Sequence, residues 1–144
     1  MKRLIIATLI SITIGAYAQT PQEFIDDAFS KITGNNEREW VHETWKREMG
    51  AQSICKSGGS FIFKSDSTVV LKDCVLGSTT EQEHTWEVVF KEPSNVTLKI
   101  IRDVFELNIY QDKKRPLVTI MKLIKTKDGK SDLEANYTFY YEPE

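Results

Sequence analysis

The 144-residue chain contains little of what marks metalloproteins and nucleic-acid-binding proteins. It has two cysteines and two histidines, too few ligands for a protein with several metal sites. Nineteen basic and 21 acidic residues give a net charge of −2, and no stretch concentrates the basic ones, so a nucleic-acid partner is not expected. Hydrophobic residues make up 40% of the chain and charged residues 28%, as in an ordinary globular domain. We therefore expect one domain without a cofactor.

The N-terminal residues 1–18 have the three-part pattern of a secretory signal peptide. Two basic residues follow the initial Met, the run 4–14 is almost wholly apolar, and Ala16 and Ala18 are the small residues that signal peptidase reads. The alternative is a buried N-terminal strand or helix. The apolar run is shorter than the ~20 residues that cross a bilayer, so no stable membrane span is expected. These features predict an exported protein, periplasmic or extracellular, whose mature domain is 19–144.

In an exported protein, Cys55 and Cys74 are expected to form a disulfide. Strand-like runs at 60–64 and 68–74 form a hairpin, and a bulge at Gly58-Gly59 would bring Cys55 opposite Cys74. The bridge would hold the open end of this hairpin and stabilise the fold by about 3 kcal/mol. A redox-active pair is the alternative, but the chain contains no C-x-x-C motif.

One helical pattern is present at the start of the mature chain. Thr20 can cap a helix, Pro21 occupies the first position, where proline is tolerated, and apolar residues at helical spacing continue to Ile32. Gly34 can end the helix in the left-handed conformation. The sequence predicts a helix at about 21–33, which is too short to be stable alone and must pack on the rest of the domain.

The remainder of the chain, about 39–141, has the period-two alternation of β-strands. The strand-like runs are 39–48, 60–64, 68–74, 83–90, 96–102, 104–110, 117–125 and 132–141. The connections are too short for parallel crossovers, so neighbouring strands should pair antiparallel, and Asp128-Gly129 is the clearest hairpin signal. Because 117–125 is apolar on both faces, we expect either the helix to cover it or a bulge in its register. The rows expected to point inward are Trp86, Val88 and Phe90; Val96, Leu98 and Ile100; Phe105, Leu107 and Ile109; and Leu133, Ala135, Tyr137 and Phe139.

Successive antiparallel strands that share one apolar face predict an all-β fold. We expect an eight-stranded antiparallel up-and-down β-barrel with a short N-terminal helix, because closure removes the exposed strand edges. A two-sheet sandwich alternates in the same way and is the alternative. The interior of such a barrel is just large enough to be filled by side chains or to hold one small ligand.

Several short motifs resemble those of bacterial lipocalin-like domains. They are Gly34 and Trp40 around the start of the first strand, the hairpin sequence 63–68, Trp86, and the late hairpin 127–130. Those proteins often have F-x-x-D-G-[ST] where this chain has Ser67 in place of the glycine, and their G-x-W spacing is shorter than that between Gly34 and Trp40. The resemblance implies a calyx, a cup-shaped barrel for a small apolar molecule.

Aromatic residues on several predicted strands are the candidate ligand-binding set in the barrel interior. They are Phe61, Phe63, Trp86, Phe105, Tyr137 and Phe139. A filled core is the alternative role for these rings. A buried tyrosine needs a hydrogen-bond partner, which a ligand could supply to Tyr137.

Patterns of catalytic residues are scarce. The two histidines, His42 and His84, lie on predicted strands without H-x-H or H-E-x-x-H spacing, and the chain contains no G-x-S-x-G. We therefore expect a non-enzymatic, monomeric binding protein for a small apolar or amphipathic molecule. One alternative is a packed-core module that acts through its surface, as an inhibitor or an envelope-assembly component. Another is an enzyme, which would need a histidine to meet a carboxylate or the second histidine at the barrel mouth.

Overall fold

The computed structural model of the chain describes residues 19–44, 46–47 and 55–143, without the side chains of 46, 47 and 55–57. The predicted signal peptide at 1–18 lies outside the described residues. Within them, no helix is long and apolar enough to cross a bilayer.

The described residues form one helix and nine strands that follow the predicted order. The helix has the predicted bounds, whereas the third and fifth strands begin earlier than expected, at Cys55 and Ser78. The elements are α1 (Pro21–Thr33), β1 (Glu37–His42), β2 (Lys46–Arg47), β3 (Cys55–Lys64), β4 (Thr68–Val75), β5 (Ser78–Lys91), β6 (Asn95–Ile100), β7 (Asp103–Gln111), β8 (Thr119–Lys127) and β9 (Lys130–Tyr141).

The sheet closes on itself through β1. This strand pairs antiparallel with β3 on one edge and with β9 on the other, while β3 to β9 pair in chain order. The two-residue β2 pairs with β3 beyond the end of β1 and so continues the line of β1. Strands β1 and β3–β9 therefore form a closed eight-stranded, antiparallel, up-and-down barrel. The predicted fold is confirmed, and the sandwich alternative is wrong.

Because consecutive strands alternate in direction, their connections lie at two ends of the barrel. The end that we call the closed end carries the junction of α1 with β1 and the connections 65–67, 92–94 and 112–118. The opposite end, which we call the open end, carries the turns 76–77, 101–102 and 128–129. Asp128 and Gly129 have φ values of 52° and 74°, so the predicted two-residue hairpin is confirmed.

Helix α1 packs over the closed end. Its first turn has a capping box, in which the Thr20 hydroxyl accepts from the Glu23 amide and the Glu23 carboxylate accepts from the Thr20 amide. Near its end, the carbonyl of the fully buried Ile32 accepts a hydrogen bond from Nε1 of Trp40 at 2.8 Å. The indole bond satisfies a carbonyl of the last helical turn and attaches the helix to β1.

Aromatic rings of the helix and the barrel meet in the core beneath α1. Phe29 of the helix stacks on Trp86 with 4.9 Å between ring centroids, and Phe63 meets the same indole edge-on at 5.1 Å. The buried cluster consists of Ile32, Trp40, Phe63, Val69, Trp86, Leu98, Ile100, Phe105, Met121, Leu123 and Phe139.

The register of the β3–β4 hairpin differs from the expected one. Gly58 lies opposite Cys74, and the described ladder shows no shift there, so the expected bulge that would bring Cys55 opposite Cys74 is wrong. The connection has three residues because Asp66 accepts from the backbone and hydroxyl of Thr68, and Ser67 takes a φ of 68°. The disulfide itself stays a prediction, since the Cys55 side chain lies outside the described part of the chain.

Strands β8 and β9 contain an irregularity near the open end. Their register shifts between Ile124 and Thr126, whereas Thr119 to Ile124 pair with β9 without a shift, so the bulge expected within the run 117–125 lies at its end and in the partner strand. The extra residues lie at 132–135 of β9. The prediction that Leu133 points inward is wrong, because this bulged segment leaves its side chain 76% exposed.

Candidate functional site

An apolar cavity of about 250 Å³ lies inside the barrel at the open end. Strands β3, β4 and β6–β9 all contribute side chains, so the cavity is built from most of the barrel circumference. The lining residues are Phe61, Leu71, Ile100, Ile101, Asp103, Phe105, Leu123, Tyr137 and Phe139.

A second concavity of about 610 Å³ adjoins the first on the side of β1, β3 and β4. Both are lined by Phe61, Tyr137 and Phe139, which therefore form a shared aromatic wall. The second concavity is further lined by His42, Thr44, Gly58, Gly59, Lys72, Asp73, Cys74 and Val75. The combined space is a small apolar inner chamber with a wider mouth, whose lining includes the polar side chains of His42, Lys72 and Asp73.

Beside this cavity the barrel wall ends early, because β6 has only six residues. Strand β6 pairs with β5 only from Trp86 to Lys91, and along 78–85 the described ladder of β5 runs to β4. The strands separate where the amide of Ile101 donates to the carbonyl of Thr85. Ile101 has a φ of 59°, an unusual value for a β-branched residue, and its half-exposed side chain lines the cavity.

The structure divides the predicted aromatic set between the two ends of the barrel. Phe61, Phe105, Tyr137 and Phe139 line the cavity. Phe63 and Trp86 do not line it. Phe63 is fully buried, and Nε1 of Trp86 donates to the carbonyl of Thr68 at 2.9 Å in the closed-end core. The interior thus has a packed core at the closed end and a cavity at the open end.

Close ring contacts hold the aromatic wall in place. The centroids of Phe61 and Phe139 are 4.6 Å apart, and the ring of His42 meets Phe139 edge-on at 5.1 Å. Tyr137 approaches Phe105 at 6.3 Å and keeps 40% of its surface exposed. The wall is therefore ordered by its own contacts, yet leaves aromatic surface for an apolar molecule.

His42 has its ring orientation set by a neighbour. Its Nδ1 accepts from the backbone amide of Thr44 at 3.2 Å and lies 2.7 Å from the Thr44 hydroxyl. In the neutral ring the proton is therefore on Nε2, which is a hydrogen-bond donor at the mouth.

The two histidines have different neighbours. His42 contacts Thr44, Tyr137 and Phe139, whereas His84 lies by Gln82 at 3.4 Å. No cluster of three or more potential metal ligands occurs in the described part of the chain.

Sequence reasoning missed some of the cavity residues. Ile100 was in an expected inward row but outside the candidate ligand-binding set, and the alternation of Leu71 and Leu123 on their predicted strands could have added them to that set. Asp73 follows Val69 and Leu71 at the same alternation, which was a usable signal for a carboxylate at the mouth. Ile101 fell within the predicted strand run 96–102, on the face opposite Ile100, whereas the structure places it in a turn where its side chain lines the cavity.

Comparisons of the chain with protein-family models, curated proteins and solved structures found no match. The geometry and chemistry of the cavity are therefore the basis for a functional proposal.

Proposed function

We propose that this chain is a secreted, lipocalin-like, non-enzymatic binding protein that holds a small apolar or amphipathic molecule at the open end of its barrel. The observation that carries the proposal is the aromatic cavity, open at one end of a barrel whose other end is filled by α1 and the core. Ligand sites are typically concave and mostly apolar, with a few polar groups that orient the ligand.

The size of the cavity limits the ligand. The inner chamber of about 250 Å³ is slightly smaller than most sites for drug-sized molecules, while the adjoining mouth of about 610 Å³ is more open. A compact apolar group would occupy the chamber, and any polar group would remain in the mouth. Each 100 Å² of apolar surface buried there would contribute roughly 2.5 kcal/mol before the entropic cost of binding.

Export belongs to the same proposal. The signal-like pattern at 1–18 supports a periplasmic or extracellular location, where the predicted disulfide between Cys55 and Cys74 would be stable. We further propose that the protein acts as a monomer.

The experiment uses N-phenyl-1-naphthylamine, a neutral probe whose fluorescence rises when it enters an apolar site. Leu71→Trp places a larger side chain in the inner chamber, and Val89→Trp adds the same side chain on the exposed outer face of β5. We expect saturable enhancement with the wild type and Val89→Trp and its loss in Leu71→Trp. Absence of enhancement in the wild type, or equal enhancement in both variants, would contradict the proposal.

The surface-acting module is the second candidate, and exposed apolar side chains at the open end favour it. Leu76 is 84% exposed in the β4–β5 turn, and Leu133 is 76% exposed in the bulge of β9. Such side chains on connections can contact a protein partner. This candidate predicts no saturable response to the probe, so the same titration separates the two.

A further inference from the structure

We infer that the ligand of this cavity carries a positively charged, amine-type group beside its apolar part, and that Asp73 pairs with that group. The inference rests on the proposed function, because it concerns the ligand of the same site. Three features support it: the position of Asp73, the pairing of the neighbouring charges, and the aromatic wall.

Asp73 follows Val69 and Leu71 at the same alternation along β4 and is exposed at the mouth. Val69 is fully buried, Leu71 lines the inner chamber, and Asp73, two residues further along, lines the mouth. Opposite it on β3 is Gly59, where a Cβ atom would lie 3.2 Å from the Asp73 carboxylate oxygen and 3.0 Å from the backbone oxygen of Lys72. The absence of a side chain at Gly59 thus leaves room for the carboxylate within the mouth.

The other charged side chains that line the two concavities have partners. Asp103 pairs with Lys125 at 2.8 Å, and Lys72 pairs with Glu81 at 3.5 Å. Asp73, by contrast, makes no ion pair or side-chain hydrogen bond with the described residues. A cationic ligand would supply its counter-charge, whereas an anionic ligand would meet an unpaired carboxylate and a lysine already paired with Glu81.

The aromatic wall also favours a positively charged ligand. Phe61, Tyr137 and Phe139 line both concavities, so a cation held by Asp73 in the mouth would lie near ring faces or edges of this wall. Ring faces attract ammonium groups through their quadrupole, and recognition of organic cations commonly combines aromatic rings with a carboxylate. An alkyl chain attached to the cation would extend towards Leu71 and Leu123 in the inner chamber.

The test compares three probes that share one alkyl chain: octyltrimethylammonium, 1-octanol and octanoate, each below its micelle-forming concentration. Binding is measured by isothermal titration calorimetry on the wild type, on Asp73→Asn and on Asp128→Asn. The last variant makes the same charge change in the β8–β9 turn, at a positive φ that asparagine tolerates. Circular dichroism verifies that each variant is folded.

We expect the wild type to bind octyltrimethylammonium more tightly than octanol, and octanoate most weakly. Asp73→Asn should weaken binding of the cation by about fivefold, as for a solvent-accessible ion pair, and leave octanol unchanged. Asp128→Asn should change neither. Equal affinity for the cation and octanol, or equal loss in the two variants, would overturn the inference while the proposed function stands. Failure of all three probes to bind would overturn the proposed function itself.

Discussion

Two phenylalanines on one strand distinguish the packed end of the barrel from the hollow end. Phe61 and Phe63 are two residues apart on β3 and both point inward. Phe63 is fully buried against Trp86, whereas Phe61 is partly buried and lines the cavity. Replacing each with alanine removes the same atoms, so any difference in stability reports on the surroundings of the ring.

The expected magnitudes follow from burial. Phe63→Ala removes a ring that is completely enclosed and leaves a void, which should cost about 3–5 kcal/mol in the free energy of unfolding. Phe61→Ala enlarges a cavity that already exists, and its ring is in part exposed before the change. Its cost should be about 1–2 kcal/mol, because fewer packing contacts and less buried apolar surface are lost.

Urea unfolding followed by far-UV circular dichroism measures both costs. The unfolding midpoint should fall much further for Phe63→Ala than for Phe61→Ala, with little change in the slope of the free energy against urea. Equal costs near 4 kcal/mol would show that Phe61 belongs to a filled core, and the open cavity would then be refuted.

Three further predictions concern the β3–β4 hairpin and the cysteines. Ser67→Gly should stabilise the fold by about 0.5–1 kcal/mol, measured by urea unfolding, because Ser67 has a φ of 68°; a loss of stability would contradict this. Hydrogen bonds from the hydroxyl and the backbone N–H of Thr68 lower the pKa of Asp66 below its ordinary 3.8. The stabilisation by the ionised Asp66 is therefore complete above pH 3.8 and is lost as the pH falls through the lowered pKa. Asp66→Ala should consequently make the urea midpoint less sensitive to acid. An unchanged dependence of the midpoint on pH would refute this role. Cys55→Ser should cost about 3 kcal/mol under oxidising conditions if the predicted bridge to Cys74 forms, and unchanged melting of the wild type under reductant would argue against the bridge.

Alternation along the strands predicted most of the fold. It identified the inward rows that contain Trp86, Leu98 and Phe105, all of which are buried. It could not separate a barrel from a sandwich, because closure depends on β1 pairing with both β3 and β9, contacts between strands far apart in the sequence. The beginning of β5 was missed because 78–82 is polar on both faces and is held in the sheet by its backbone ladder to β4.

The candidate site could be predicted only in part. Alternation shows whether a side chain points into the barrel, but not whether it lies at the closed end or the open end. Phe61 and Phe63 have identical inward alternation, yet α1 covers one end of the barrel and leaves only the other end open. The turn residue Ile101 follows no period. Likewise, the bulge that turns Leu133 outward inserts extra residues into β9, so the simple alternation fails there.

Methyl-resolved NMR during a titration with 1-octanol tests the central claim most directly. The open cavity predicts intermolecular nuclear Overhauser effects from the octyl chain to Leu71, Ile100 and Leu123, which line it. Ile32, which is fully buried on α1 at the closed end, should show none. Octanol that contacts only the outer surface of the barrel, or that leaves the three cavity residues unperturbed at saturation, would contradict the account.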